Sequence, residues 1–108
     1  MNEYVKIDIN NGIGIIEFYH PQSNSLPSYI LNQLANTITE AGNNEKVKVL
    51  IIRSGGDRTF CAGASFDELI KINNEEEGTK FFSGFANVIN ASRKCPVFII
   101  GRVQGKAV

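Results

Sequence analysis

The residues of this 108-residue chain most suited to chemistry are small ones. Cys61-Ala62-Gly63-Ala64 follows an apolar run at 47–53 and a cluster of turn formers, Ser54-Gly55-Gly56-Asp57-Arg58. Small residues leave peptide N–H groups unshielded, so a ligand can approach the backbone closely. Main-chain donors presented this way can hold negative charge developing on an oxygen. The competing reading is a strand-to-helix turn whose small residues serve packing alone. Ser65 follows directly, and its hydroxyl suits the cap of a short helix at 66–69. As a nucleophile it lacks the second glycine of a nucleophile elbow, and nothing in the sequence places His20, the only histidine, beside it. Asp67 and Glu68 are adjacent, so on a helix they point different ways and do not converge as an acid–base pair. They read as solvent-facing charges at a helix start.

Several elements must position this loop. Residues 4–9 alternate apolar and polar, Asn10-Asn11-Gly12 reads as a turn, and 13–18 reads as the return strand of a hairpin. His20-Pro21-Gln22-Ser23-Asn24-Ser25 is a loop by composition. Pro27 then suits the first turn of a helix reaching about Ala41, with Ser25 or its neighbour as cap and Gly42 closing the end. Ile30, Leu31, Leu34, Ala35 and Ile38 share its apolar face. A second helix is expected from Asn73-Asn74 and the acidic run Glu75-Glu76-Glu77, with Phe81, Phe82, Phe85, Val88 and Ile89 as its stripe and Pro96 as its stop. Residues 97–103 read as a buried strand. A strand, a helix and a further strand imply a right-handed crossover in an α/β fold.

Composition narrows the classes of function. The length allows at most one domain, and the 43% apolar and 20% charged content is that of an ordinary globular protein. Eleven basic residues balance eleven acidic ones, which gives no support for nucleic-acid binding or an anionic-membrane patch. No apolar run approaches the roughly 18 residues of a membrane span. The N-terminus lacks a secretory pattern, so Cys61 and Cys95 read as free thiols and the cytoplasm is the default location.

Phe60-Cys61-Ala62-Gly63-Ala64 resembles the first oxyanion-hole segment of the enoyl-CoA hydratase/isomerase (crotonase) family, with Ser65 where that family usually has aspartate. Residues 94–108, Lys94-Cys95-Pro96 through Gly105-Lys106-Ala107-Val108, resemble the family's approach to a triple-glycine turn. The resemblance implies an α/β crotonase-like (ClpP/crotonase) spiral of ββα units, with 1–108 as the N-terminal part of a single domain. It implies a coenzyme A thioester as substrate, with no separate cofactor or metal, and a homo-oligomer. The Ala64 backbone N–H would be the first oxyanion donor. Gln22, Ser23 and Leu26 on one side, and Ala62, Ser65, Phe66 and Asp67 on the other, would flank the substrate. The implied activity is hydration or double-bond isomerisation of an enoyl-CoA through a thioester enolate. The family's second donor and its acid–base glutamates would lie beyond Val108. The alternatives are a catalytically silent fragment that binds only an acyl-CoA or a partner chain, and a peptidase using Ser65.

Overall fold

The computed structural model describes residues 2–108. Strands β1 (Tyr4–Asn10) and β2 (Ile13–Tyr19) form the expected antiparallel hairpin. Its tight turn places Asn11 and Gly12 at positive φ, where asparagine and glycine are tolerated best. The strands β4 (Val49–Ser54) and β6 (Phe98–Arg102) extend the hairpin in parallel, giving a four-stranded sheet in the order β1-β2-β4-β6. A second, two-stranded parallel sheet joins β3 (Ser25–Leu26) to β5 (Gly63–Ala64). The helices are α1 (Ser28–Gly42), the single turn α2 (Phe66–Leu69) and α3 (Glu75–Lys94).

One face of the large sheet carries the core. Ile16, Phe18 and Leu50 meet Ile30, Leu31, Leu34 and Ile38 of α1, all of them buried. Helix α3 packs on α1, with Phe85 and Val88 against the core and Phe81 buried. Gly84 permits the close approach, because a Cβ there would stand 2.8 Å from a methyl of Leu31. The expected stripe of α3 is wider than the real contact. Phe82 and Ile89 are exposed, because α1 covers only the narrower strip of α3 that faces it.

Both ends of α1 differ from expectation. Ser25 lies in β3, and Pro27 occupies the cap position without a side-chain cap bond. A carboxylate from another element replaces that cap: Glu68 accepts from the Ser28 N–H at 2.8 Å and from the Ser28 hydroxyl. At the other end Gly42 is the last helical residue and does not adopt a positive φ. Its small size serves packing, since a Cβ there would lie 2.9 Å from Cys95 Sγ. Helix α3 starts as read, with Asn74 Oδ1 accepting from the Glu77 N–H at 2.8 Å.

Candidate functional site

The small-residue loop is held from both sides. On one side β3 runs parallel to β5 with Ser25 opposite Gly63 and Leu26 opposite Ala64. On the other, Cys61 pairs with Ala107: the Phe60 and Cys61 N–H groups donate to Lys106 O at 2.9 and 3.2 Å, and the Val108 N–H donates to Cys61 O at 2.9 Å. Residues 104–108 therefore lie beside 60–63, and the two stretches singled out in the sequence meet although about forty residues separate them.

The register determines where the Ala64 N–H points. In a parallel ladder each bridge uses the N–H and C=O of one residue, while those of its partner face away. For Leu26 opposite Ala64, use of Ala64 would require an N–H from residue 27, which is Pro27 and has none. Leu26 therefore supplies the bonds and the Ala64 N–H faces away from β3. It is also absent from the turn, loop and cap hydrogen bonds of the described residues. Gly63, at φ +95°, makes the irregular step before it.

The two segments expected to flank a substrate are brought together. Gln22 Nε2 donates to Asp67 Oδ2 at 3.0 Å, and both side chains are exposed. Ser23 is exposed at φ +56°, and Phe66 is 76% exposed at the start of α2. Ala62 is half-buried, and its N–H donates to Asn24 O at 3.3 Å. The Leu26 side chain is core, so only its backbone is available to a ligand. Ser65 is buried, and its hydroxyl accepts the Glu68 N–H at 3.3 Å as the cap of α2. That leaves the hydroxyl employed in structure, and no side-chain base hydrogen-bonds to it among the described residues.

Asp67 is exposed as expected, whereas the expectation that Glu68 faces solvent is corrected: it is half-buried against Ser28. Asp67 binds Gln22 and Glu68 binds Ser28, so two adjacent carboxylates tie the single turn α2 to two different segments. Burial pushes the Cys61 thiol above its ordinary value, against a weak bond from the Gly63 N–H at 3.4 Å, so Cys61 is a protonated, packed residue. Cys61 and Cys95 are both free, as read. Among the cations, Lys6 pairs with Glu17 at 3.4 Å on the sheet face, away from the loop. Arg58, with His20, Ser23, Gly55 and Gly56, instead lines a cleft beside it.

Sequence reasoning gave no role to Asn24, Ser54 or Gln104. Asn24 is buried at φ +58° and donates to Gly55 O and Thr59 O at 3.1 and 2.8 Å. Ser54 Oγ approaches Thr59 O at 3.4 Å and accepts from Gln104 Nε2 at 2.8 Å. The one signal available was asparagine inside a turn-forming stretch, where its tolerance of positive φ is useful. Among the described residues, no group of three or more His, Cys, Asp or Glu side chains could hold a metal ion. No described helix is long and apolar enough to cross a membrane.

A mixed α/β fold thus carries a loop of small residues paired on both sides. Residues 8–108 match the family model described as enoyl-CoA hydratase/isomerase. The chain belongs to that family, and its fold is a truncated crotonase fold. It is similar to the mitochondrial methylglutaconyl-CoA hydratase of Rattus norvegicus, 35% identical over 79% of this chain and 27% of that protein. It is also similar to the ethylmalonyl-CoA decarboxylase of Gallus gallus, 28% identical over 92% of this chain and 33% of that one. The solved enoyl-CoA hydratase of Bacillus anthracis superposes with a TM-score of 0.84 at 23% identity, covering 94% of this chain and 40% of its own. The chain thus spans between about a quarter and two-fifths of the length of these proteins.

Proposed function

We propose that this chain binds an acyl-CoA thioester, with the Ala64 N–H donating to the thioester oxygen. The observation that carries the reading is the Ala64 N–H directed away from β3 on a loop of small residues. Such a donor stabilises an enolate more than the ground-state carbonyl, because it meets the larger negative charge. Gln22, Ser23, Ala62, Phe66, Asp67 and the backbone of Leu26 flank the substrate, while Ser65 holds α2 in place. The whole enzyme is an enoyl-CoA hydratase or isomerase working through the enolate, of which 1–108 forms the N-terminal part of a single domain. It is a cytoplasmic homo-oligomer that needs no separate cofactor.

A second reading is favoured by one observation. Asp67 and Glu68, on the turn after the loop, are occupied by Gln22 and Ser28 and diverge, so they form no acid–base pair converging on Ala64. By itself the 108-residue chain then binds acyl-CoA without turning it over. Amide NMR with a saturated short-chain acyl-CoA tests the binding: the Ala64 cross-peak is expected to move. An unchanged spectrum at millimolar ligand removes the binding reading. Loss of enoyl absorbance on adding a short 2-enoyl-CoA to chain of confirmed mass would instead show turnover and reject the silent fragment.

A further inference from the structure

Asn24 makes more polar bonds than any loop residue around it, and together they join three segments of the site: His20, the 55–59 loop and Ala62. The His20 N–H donates to its Oδ1 at 2.8 Å, while its own N–H donates to His20 O at 3.0 Å, which closes the 20–24 turn on itself. Its Nδ2 reaches across to Gly55 O at 3.1 Å and Thr59 O at 2.8 Å. Those two carbonyls stand at the two ends of the 55–59 loop that delivers Phe60 to Ala64. Its own carbonyl accepts the Ala62 N–H at 3.3 Å, immediately before the β3–β5 register begins at Ser25 and Gly63. The side chain is 3% exposed, and no buried side-chain nitrogen or oxygen among the described residues lacks a partner.

We propose that Asn24 is the positioning residue that holds β5 in the register with β3 by which the Ala64 N–H is directed. It does so by clamping both ends of the 55–59 loop to the start of β3. The proposal rests on the reading of Ala64 as a thioester donor, and it adds the side chain on which that donor depends. The amide is suited to the task because it is donor and acceptor at once: Oδ1 accepts from one segment while both hydrogens of Nδ2 are given to another. A carboxylate could accept from His20 but could not donate to two carbonyls.

Asn24→Asp is therefore the informative variant, since it keeps the shape and tolerates the positive φ while replacing the two donors by an acidic oxygen facing the Gly55 and Thr59 carbonyls. Asn24→Gly keeps the backbone conformation and removes every side-chain bond. In the ligand-free chain, either variant is expected to displace the Gly63 and Ala64 amide cross-peaks and to speed hydrogen exchange at Ala62 about tenfold, the equivalent of one weakened hydrogen bond. Amides of β1, β2 and β4 should keep their positions. The second readout compares a saturated acyl-CoA with the matching S-alkyl-CoA thioether, which lacks the carbonyl. The wild-type preference for the thioester should fall about tenfold in Asn24→Asp, with thioether affinity unchanged. A folded Asn24→Asp with unmoved Gly63 and Ala64 amides overturns the proposal. So does unfolding of both variants, since the side chain would then support the whole fold and not the loop. A wild-type chain with no thioester preference rejects the functional reading of Ala64, while the ligand-free spectra still decide whether Asn24 sets the loop.

Discussion

At residue scale the site depends on close backbone approaches that leave no room for side chains. Gly105 is the clearest. It sits at φ +63°, and a Cβ there would lie 1.8 Å from the carbonyl oxygen of Arg58. Gly105→Ala is therefore expected to lower stability by about 3 kcal/mol, from left-handed strain and overpacking together. The urea midpoint would measure this, and an unchanged midpoint would show that 104–108 does not pack on 58–61. Glu17 offers a separate test. Its carboxyl accepts from Arg53 Nε at 2.9 Å and from the Tyr4 hydroxyl, with Lys6 at 3.4 Å. Burial pushes its pKa up, but the bonds from Tyr4 and Arg53 and the Lys6 charge outweigh burial and hold it below the ordinary carboxylate value. The hydrogen bond to Glu17 pushes Tyr4 up to about 12. The depressed carboxyl stabilises the fold above its unfolded pKa, and that stability is lost as pH falls through the folded value. The raised phenol stabilises below its unfolded value of 10.0, and the effect is lost as pH rises toward about 12. Glu17→Gln should cost about 1–2 kcal/mol at neutral pH and flatten both arms of the stability profile.

At the scale of elements, the single turn α2 owes its place to contacts made elsewhere. Four residues cannot sustain a helix alone, since nucleation costs more than one turn returns. The Ser65 cap, the Gln22–Asp67 bond and the Glu68–Ser28 pair hold it against the loop and α1. Glu68 also supplies the cap that Pro27 cannot give to α1. Glu68→Gln and Ser28→Ala should each lower stability by about 1–2 kcal/mol, as a lost helix cap does. The double variant should lose clearly less than the two single losses combined. Strict additivity in chemical denaturation would mean that the two residues do not interact.

At the scale of the molecule, the two faces of the large sheet differ in kind. One is covered by α1, on which α3 packs in turn. The other leaves Phe98 87% and Ile100 54% exposed on β6, whose outer edge has no strand partner among the described residues. An apolar strip beside an open strand edge favours pairing between chains. The 108-residue chain is expected to self-associate at micromolar to millimolar concentration. Phe98→Asp should shift sedimentation toward monomer without lowering the stability read from urea unfolding by more than about 0.5 kcal/mol, because little of that side chain is buried. A wild-type chain that remains monomeric throughout would remove this expectation.

Local pattern was enough for β1, β2 and β4, for the position of β6, for the helices within a residue or two, and for the loop of small residues. It was not enough for the short strands β3 and β5, nor for the burial of β6, which read as buried and is largely exposed. Period-two alternation, the apolar stripe of α1 and the Asn74 cap all act over a few neighbours, so they can be read along the chain. The fold class and family rested on the Phe60 to Ala64 motif and on residues 94–108, since periodicity alone did not lead to the spiral. What depended on distant partners was out of reach of local reading. Glu68 capping α1, Gly42 serving Cys95, and Asn24 joining Gly55 to Thr59 each pair residues that only folding brings together. The Ala64 N–H shows both contributions. Sequence alone determined that it sits among small residues and that Pro27 has no hydrogen to offer. The parallel register of β3 with β5 decided which way it points, because only a bridged neighbour determines the side to which a peptide group turns.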